Sequence, residues 1–351
     1  MVDLVASPNQ LEKAARHFAV LPKDEDVMLE RPGGDAGPIL TRREVLVRRL
    51  LAPALLSPLG RLVSTEIASG AAGSRSCAVG AFVNPSNVQM TFVEAQQATT
   101  ALESSIRHRL RIASTFVAWE EPFPNTGHVL DREAGRKPLI AWDGRRDLAQ
   151  VTSGRWDSLL RERARSCRDF GAPIYLRWAA EFNGEWNPCY GRPREFVAAW
   201  RHIVRVFRSA GATNVRWVWC PFAVQGRRRP AEDWRRYYPG DRFVDWVGMD
   251  GYNWGAARPW SRWQTFDEIF APLHADYAAR RPLMICEVAC AERGGDKAAW
   301  IRDMGAKLAG RFSNVRAVVW FHANKETDWR LNSSASSLRA FRSVVANRRY
   351  S

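Results

Sequence analysis

The sequence predicts an α/β fold, a (β/α)8 (TIM) barrel preceded by an N-terminal extension. From about residue 77 onward, apolar runs of strand length alternate with amphipathic helical stretches. Eight such runs occur in about 275 residues, which is the number and size typical of this barrel. A doubly wound open sheet is the alternative, but its Gly-rich phosphate loop is missing after the first run, where Asn84-Pro85-Ser86-Asn87 stands instead.

Each predicted strand is rich in Val, Ile, Trp, Phe or Leu. The strands are residues 77–83, 112–119, 138–142, 173–178, 215–220, 244–249, 282–286 and 315–321. Amphipathic patterns predict helices at residues 92–106, 156–170, 194–210, 266–279, 297–309 and 337–346. The connection at residues 120–136 has no clear helical pattern.

Residues 1–76 form the predicted extension, and residues 77–351 form the barrel domain. The extension contains a Gly- and Pro-rich stretch at 31–38 that excludes regular structure. Thr41-Arg42-Arg43-Glu44-Val45-Leu46 resembles a twin-arginine export signal, followed by an apolar stretch and small residues at 68–73. We therefore expect a secreted or periplasmic protein. An amphipathic leader helix packed on the barrel, in a cytoplasmic protein, is the alternative.

Composition is that of a soluble globular protein, with 46% hydrophobic and 25% charged residues. The net charge of +15 could attract nucleic acid or an acidic polysaccharide. Its densest groups, Arg227-Arg228-Arg229 and Arg235-Arg236, accompany no nucleic-acid motif, so we expect a solvated basic surface and no nucleic-acid partner. No apolar run reaches the roughly 20 residues that span a bilayer. We expect no integral membrane segment, and a monomer.

The six cysteines form no CxxC pair and no zinc-ligand spacing, so we expect neither a metal nor a cofactor. Their even number permits disulfides in an exported protein. Cys189 and Cys220 would then lie near strand ends on one face, while buried free thiols are the equal alternative.

Two glutamates follow apolar runs of strand length. Glu181 follows residues 173–176, and Glu287 follows Pro282-Leu283-Met284-Ile285-Cys286. In a barrel both would lie at the carboxyl ends of strands and face each other across the mouth. Paired carboxylates in that position are what retaining glycoside hydrolysis requires, one as proton donor and one as nucleophile.

Tryptophans support a carbohydrate ligand, because sugar rings bind to flat aromatic faces. The chain has sixteen, and several lie near predicted strand ends: Trp119, Trp142, Trp178, Trp219, Trp254 and Trp320. Filling of a large core explains any one of them equally well.

Several segments together resemble glycoside hydrolase family 26, the β-mannanases and related β-glycanases. Arg177-Trp178-Ala179-Ala180-Glu181-Phe182-Asn183-Gly184-Glu185-Trp186 looks like its acid/base segment. Residues 245–253 resemble its strand 6 segment, and Ile285-Cys286-Glu287-Val288 its nucleophile segment. Residues 318–321 and Asp328-Trp329-Arg330 follow in the expected order, so the resemblance runs from about 77 to 345.

The resemblance implies Glu181 as general acid/base, Glu287 as nucleophile and Tyr252 as a hydroxyl donor that orients Glu287. It also implies a polysaccharide or oligosaccharide substrate and an endo-β-glycanase acting on β-1,4-mannan or a related β-glucan by double displacement. Substrate contacts are expected from Arg177, Trp186, Asp250, Trp254 and Trp320. Of these, Trp186 and Trp320 would stack on sugars.

One position departs from the family, which usually has histidine immediately before the acid. Here that residue is Ala180, which puts mannan specificity in question, and His128 or His322 could supply an imidazole in space. Two alternatives therefore stand beside the leading hypothesis. One is a catalytically silent glycan-binding barrel, and the other is a hydrolase for an acidic exopolysaccharide.

Overall fold

The computed structural model describes residues 76–223 and 233–350. Eight parallel strands close into a barrel in chain order, and β8 pairs with β1. This confirms the predicted (β/α)8 fold. The strands are β1 (Ala78–Asn84), β2 (Ile112–Val117), β3 (Lys137–Trp142), β4 (Ile174–Trp178), β5 (Val215–Trp219), β6 (Trp246–Asn253), β7 (Leu283–Cys290) and β8 (Val315–Ala323).

Eight α-helices of the described residues surround the barrel. They are α1 (Phe92–Ile106), α2 (Thr126–Glu133), α3 (Leu148–Thr152), α4 (Asp157–Phe170), α5 (Pro193–Ser209), α6 (Phe266–Tyr277), α7 (Lys297–Ala309) and α8 (Ala335–Val345). Six of them lie at the predicted places, whereas α2 and the short α3 were not predicted. Between β5 and β6 the described residues form only the short 3-10 helices Trp234–Tyr237 and Asp241–Phe243.

The helix α2 corrects the expectation of an irregular connection at 120–136. It buries His128 and Asp131 rather than an apolar stripe, so its sequence has no hydrophobic period. Its first turn is held by a capping box in which Asn125 Oδ1 accepts from the His128 N–H and His128 Nδ1 accepts from the Asn125 N–H.

Alternate residues of each strand point into the barrel, where they form a narrow interior cluster. Large apolar side chains on the outer face of the strands pack against the surrounding helices. On α5 the residues that face the strands include Phe196, Trp200, Ile203 and Phe207. The interior cluster consists of Ile112, Leu139, Val218, Cys220, Met284, Cys286, Ala317 and Val319.

A β-bulge interrupts this alternation in β7. Met249 of β6 faces Ile285, but the next residue, Asp250, faces Glu287, so Cys286 is an extra residue. Cys286 belongs to the interior cluster and Glu287 also contacts groups inside the mouth. The bulge therefore turns two consecutive side chains to the same face, and β7 continues through Glu287 instead of ending before it.

Two predictions about sorting and domain organisation, the twin-arginine leader and the extension up to residue 76, fall almost wholly outside the described residues and stay predictions. Arg227-Arg228-Arg229 also lies outside them. In the described part of the chain, no helix combines the length and apolar character needed to cross a membrane. All six cysteines lie in the described ranges, each buried and free, so Cys189 and Cys220 are not bridged to each other.

Candidate active site

Glu287 lies within β7 at the mouth of the barrel, where only 7% of it is exposed. Its two carboxylate oxygens accept from different strands. Arg177 Nη2 of β4 donates to Oε1, and the Tyr252 hydroxyl of β6 donates to Oε2. Both carboxylate oxygens of Glu287 are therefore held by donors from neighbouring strands, which fixes the orientation of the side chain.

Arg177 lies beneath Glu287 and is completely buried. Its Nη1 also donates to Asp250 Oδ2, at 2.6 Å. Burial by itself lowers the pKa of a guanidinium, but the carboxylates of Asp250 and Glu287 raise the pKa of Arg177 above its ordinary value. Arg177 and Asp250 were expected to contact substrate, yet neither side chain is exposed. Their position makes them supports for Glu287 instead.

Tyr252 completes the support of Glu287. Burial raises the pKa of its hydroxyl well above the ordinary value, and the charge of Glu287 adds to that shift. The phenol therefore keeps its proton near neutral pH and donates a hydrogen bond to Glu287. This is the orientation that the family resemblance implied.

Glu181 lies in the loop that follows β4 and is half-buried. Its backbone N–H donates to Cys220 O at 2.9 Å, and its Oε2 accepts from Trp186 Nε1 at 2.6 Å. Glu181 and Ala179 both have left-handed backbones, with φ of +60° and +51°. Side chains other than glycine rarely adopt that conformation, so the loop must hold them there.

Three contacts hold this loop. Asn183 is buried and exchanges two hydrogen bonds with Phe222, through Nδ2 to Phe222 O at 3.1 Å and from Phe222 N to Oδ1 at 2.8 Å. Asn187 Nδ2 donates to Ala180 O at 2.9 Å. Gly144 packs so closely that an added Cβ would lie 2.1 Å from the Ala179 Cβ. The contacts of Asn183 and Gly144 join segments far apart in the chain, so the sequence gives no sign of them.

The two glutamates meet at the mouth. One carboxylate oxygen each from Glu181, Asp250 and Glu287 lie within 4.8 Å of one another. Such a trio could also ligate a cation, but Arg177 donates to two of its members and opposes a second positive charge there.

Cys220, Asp250 and Cys286 form the other group of this kind in the described residues. Metal ligation needs thiolates, whereas burial raises the pKa of the Cys220 thiol well above its ordinary value. Hydrogen bonding therefore explains the arrangement of both groups better than metal ligation does.

Tryptophans contribute less to the mouth than expected. Trp119, Trp142, Trp178 and Trp219 are buried among aromatic rings between strands and helices. Trp320 was expected to stack on a sugar, but it is 1% exposed, packs on Phe341 of α8, and donates from Nε1 to Trp329 O. It occupies the outward parity of β8, so the structure contradicts that expectation.

Trp186 and Trp254 do lie at the mouth, and both are half-buried. Trp186 contacts Phe222 edge to face, with ring centroids 4.8 Å apart. Trp254 packs on Trp329 at 4.7 Å, and Trp329 in turn lies 5.2 Å from Tyr252. Trp329 was not among the expected site residues, although the segment that carries it supported the family resemblance.

Neither candidate histidine takes the place left by Ala180. His128 is buried in α2, where its Nε2 bonds Thr115 Oγ1 at 2.9 Å. His322 lies within β8 on the outward parity and accepts from the Leu331 N–H at 3.1 Å. Burial lowers the pKa of each to about 4. Both are structural.

Three phenylalanines at the mouth escaped the sequence reasoning. Phe82, Phe116 and Phe321 lie near the carboxyl ends of β1, β2 and β8 and contact one another. Strand parity predicts their position, because each has the parity of the interior cluster and lies near the carboxyl end of its strand, where Phe116 is 42% exposed and Phe321 is 6% exposed.

The chain is similar to several characterised proteins. It is 35% identical over 257 residues to Endoglucanase H of Acetivibrio thermocellus, covering 68% of this chain and 27% of that protein. It is 29% identical over 128 residues to Beta-1,3-xylanase TXYA of Vibrio sp, covering 33% and 26%. The chain thus spans about a quarter of the length of these curated relatives.

Solved structures share the fold at low identity. A beta-mannanase from a symbiotic protist of the termite Reticulitermes speratus, complexed with gluco-manno-oligosaccharide, superposes with a TM-score of 0.58 at 15% identity, covering 79% of this chain and 89% of that one. The catalytic domain of the Bacillus sp. JAMB-750 GH26 endo-beta-1,4-mannanase gives 0.58 and 15%, covering 79% and 87%.

The sequence profile of the family described as glycosyl hydrolase family 26 matches residues 153–338, which is more than half of the chain and includes both mouth glutamates. The chain belongs to glycosyl hydrolase family 26.

Proposed function

We propose that the protein is a retaining endo-β-glycanase, with Glu287 as nucleophile and Glu181 as general acid/base. The observation that carries this proposal is the approach of their carboxylate oxygens to within 4.8 Å at the barrel mouth. Retaining enzymes keep the two carboxyl groups about 5–5.5 Å apart, whereas inverting enzymes need about 6.5–9.5 Å to admit a water.

The first step forms a bond between a Glu287 oxygen and the anomeric carbon as the glycosidic bond breaks. Arg177 and Tyr252 donate to Glu287 and aim it into the mouth. In this mechanism Glu287 reacts as the carboxylate, and Glu181 carries the proton that passes to the leaving oxygen.

The second step reverses these roles. Once Glu287 is esterified by the sugar, its negative charge is gone and Glu181 is left as the carboxylate. Glu181 then takes a proton from water while the water oxygen attacks the anomeric carbon and Glu287 leaves. The Trp186 N–H on Glu181 Oε2 holds the side chain in position through both steps.

For the substrate we propose a β-1,4-linked glycan, with β-glucan favoured over mannan. The 35% identical relative is named an endoglucanase, while the mannanase structures share only 15% identity. Ala180 packs its methyl group against the interior cluster where the family usually has an imidazole. This chain therefore lacks the imidazole that a mannanase of the family usually has at this position.

A second candidate substrate is an acidic exopolysaccharide. A groove of about 540 Å3 between α4 and α5 is lined by Arg161, Arg165, Arg168, His202 and Arg205. Asp157 is the one acidic residue lining it, and it is already paired with Arg161 and His202. Such a groove would attract a polyanion, and binding there would weaken steeply with salt.

The test is to incubate the purified full chain with mixed-linkage β-glucan, glucomannan, galactomannan, β-xylan and an anionic exopolysaccharide, and to analyse the oligosaccharides released. A Glu287→Ala variant is the matched control. We expect release from β-glucan by the wild type alone, with the β-anomer formed first in the NMR spectrum. Retention of glycans without release from any of them would instead support a silent glycan-binding barrel.

A further inference from the structure

An aromatic surface borders the candidate nucleophile and has no role in the chemistry described above. Phe82 of β1 and Phe321 of β8 stack with ring centroids 4.8 Å apart. Phe116 of β2 meets Phe82 edge to face at 5.0 Å and Phe321 at 6.4 Å. These three rings, the phenylalanine wall, come from three adjacent strands and lie on one side of the mouth.

Part of the phenylalanine wall is exposed to solvent, because Phe116 is 42% exposed. Leaving that much apolar ring in water forgoes the free energy that burial would supply. Large hydrophobic side chains exposed to this degree are few in the described residues, and the others are Val88, Phe92, Val93 and Trp260. An exposed apolar surface inside a functional cleft indicates a binding surface.

The wall touches both groups that hold Glu287. Phe321 contacts the Tyr252 ring edge to face at 5.8 Å, and the Arg177 guanidinium lies 5.6 Å from the Phe116 ring centre. A sugar whose anomeric carbon reaches Glu287 therefore has the wall next to it. Phenyl rings carry no hydrogen-bonding group, so the wall recognises a ligand by its apolar face alone.

We propose that Phe116 and Phe82, backed by the buried Phe321, form a stacking surface for a sugar ring next to Glu287, and that it selects a gluco- or xylo-configured ring over a manno-configured one. This rests on the proposed glycanase function and deepens it. A β-glucosyl ring has only equatorial substituents, so both its faces present axial C–H groups. β-Mannose has an axial 2-hydroxyl on one of its faces, which against a phenyl ring would lose its hydrogen bonds to water without replacement, so only a gluco- or xylo-configured ring can present either face to the wall.

Phe116→Ala tests the proposal, with kcat and KM measured on mixed-linkage β-glucan and on mannan. We expect kcat/KM on β-glucan to fall about 10-fold, mostly through KM, since one ring contact is worth about that factor. The fall on mannan should be smaller. Phe116→Leu, which keeps apolar volume but loses the flat face, should give an intermediate value. Val93→Ala, which truncates an exposed residue of α1, is the control and should change nothing.

Several outcomes overturn the inference. A kcat/KM on β-glucan within twofold of wild type excludes a stacking role. A loss confined to kcat with unchanged KM would show that Phe116 acts only by seating Arg177. If Phe116→Ala does not fold, Phe116→Leu carries the same comparison.

If the wild type hydrolyses nothing, the proposed function fails and the wall is tested by affinity electrophoresis in β-glucan. Retardation that weakens in Phe116→Leu supports the wall as a binding surface. Equal retardation of both proteins, or no retardation of either, rejects it.

Discussion

Glu287 and Glu181 lie at the same mouth but in different surroundings. Glu287 is inside a regular strand, nearly covered, and accepts from a buried arginine and a tyrosine. Glu181 is in a loop, half-buried, with a left-handed backbone, and accepts from a tryptophan N–H. One carboxylate is thus held by two donors from neighbouring strands, while the other lies in a loop and is more accessible to solvent.

This difference matters because one reaction needs two carboxylates in opposite protonation states at the same pH. Chemically identical groups acquire separate roles only through their surroundings. Arg177, a cation fully buried between Asp250 and Glu287, is the group that distinguishes the two surroundings. Removing Arg177 would leave two buried carboxyl groups without their partner, so we expect its substitution to be tolerated poorly.

The largest expected effect separates the two carboxylates by their chemistry. Glu287→Ala should lower kcat by about 10⁵-fold because no covalent intermediate can form. Added azide should restore turnover of an aryl glycoside and yield the α-glycosyl azide, since azide would attack from the face that Glu287 vacates. Formation of the β-azide would reverse the assignment of the two glutamates.

Glu181→Ala should affect substrates unequally. Hydrolysis of polysaccharide should fall about 10³-fold, because its leaving oxygen needs a proton. Dinitrophenolate leaves from an aryl glycoside without needing a proton, so the first-step rate on a dinitrophenyl glycoside should change little. Added azide should give the β-glycosyl azide with this variant. The measurement is kcat/KM on both substrates side by side. An equal loss on both would mean that Glu181 positions substrate rather than protonating it.

Tyr252→Phe removes one donor to Glu287 and leaves Arg177 in place. We expect kcat to fall about 100-fold, the usual effect of deleting one donor from a reacting oxygen's network. Unchanged kcat would show that Arg177 alone orients Glu287.

Sequence reasoning located both carboxylates because each follows an apolar run of strand length. It did not find how Glu287 points inward, since strict alternation from the interior residue Cys286 would turn Glu287 outward. The bulge at Cys286 reverses that, and its only sign is the register with Asp250 on the neighbouring strand. Such pairing depends on three-dimensional contacts that a single sequence does not display.

Parity explains the other differences at the mouth. Trp320 was expected at the mouth because it is a tryptophan near a strand end, whereas its neighbour Phe321 has the inward parity. Phe82 and Phe116 read as ordinary core residues until the barrel brings their strand ends beside β8. Strand position therefore predicts which side chains line the mouth better than residue type does.

Acid pH offers the last comparison, between the mouth and the buried histidines outside it. Burial lowers the pKa of His128 and His322 from 6.5 to about 4. Between these two pKa values the histidines bind protons in the unfolded chain but not in the folded chain. The free energy of unfolding therefore falls as the pH falls through this window. Each histidine should cost about 3 kcal/mol by pH 4, which unfolding curves can separate from an acid loss of activity.

His128→Gln isolates one of these contributions, because glutamine at the third helical position keeps the capping bond to Asn125. Its stability should decline less than that of the wild type between pH 7 and 4, by about 3 kcal/mol, with kcat at pH 7 unchanged. If His128→Gln declines as steeply as the wild type, His128 is protonated without unfolding.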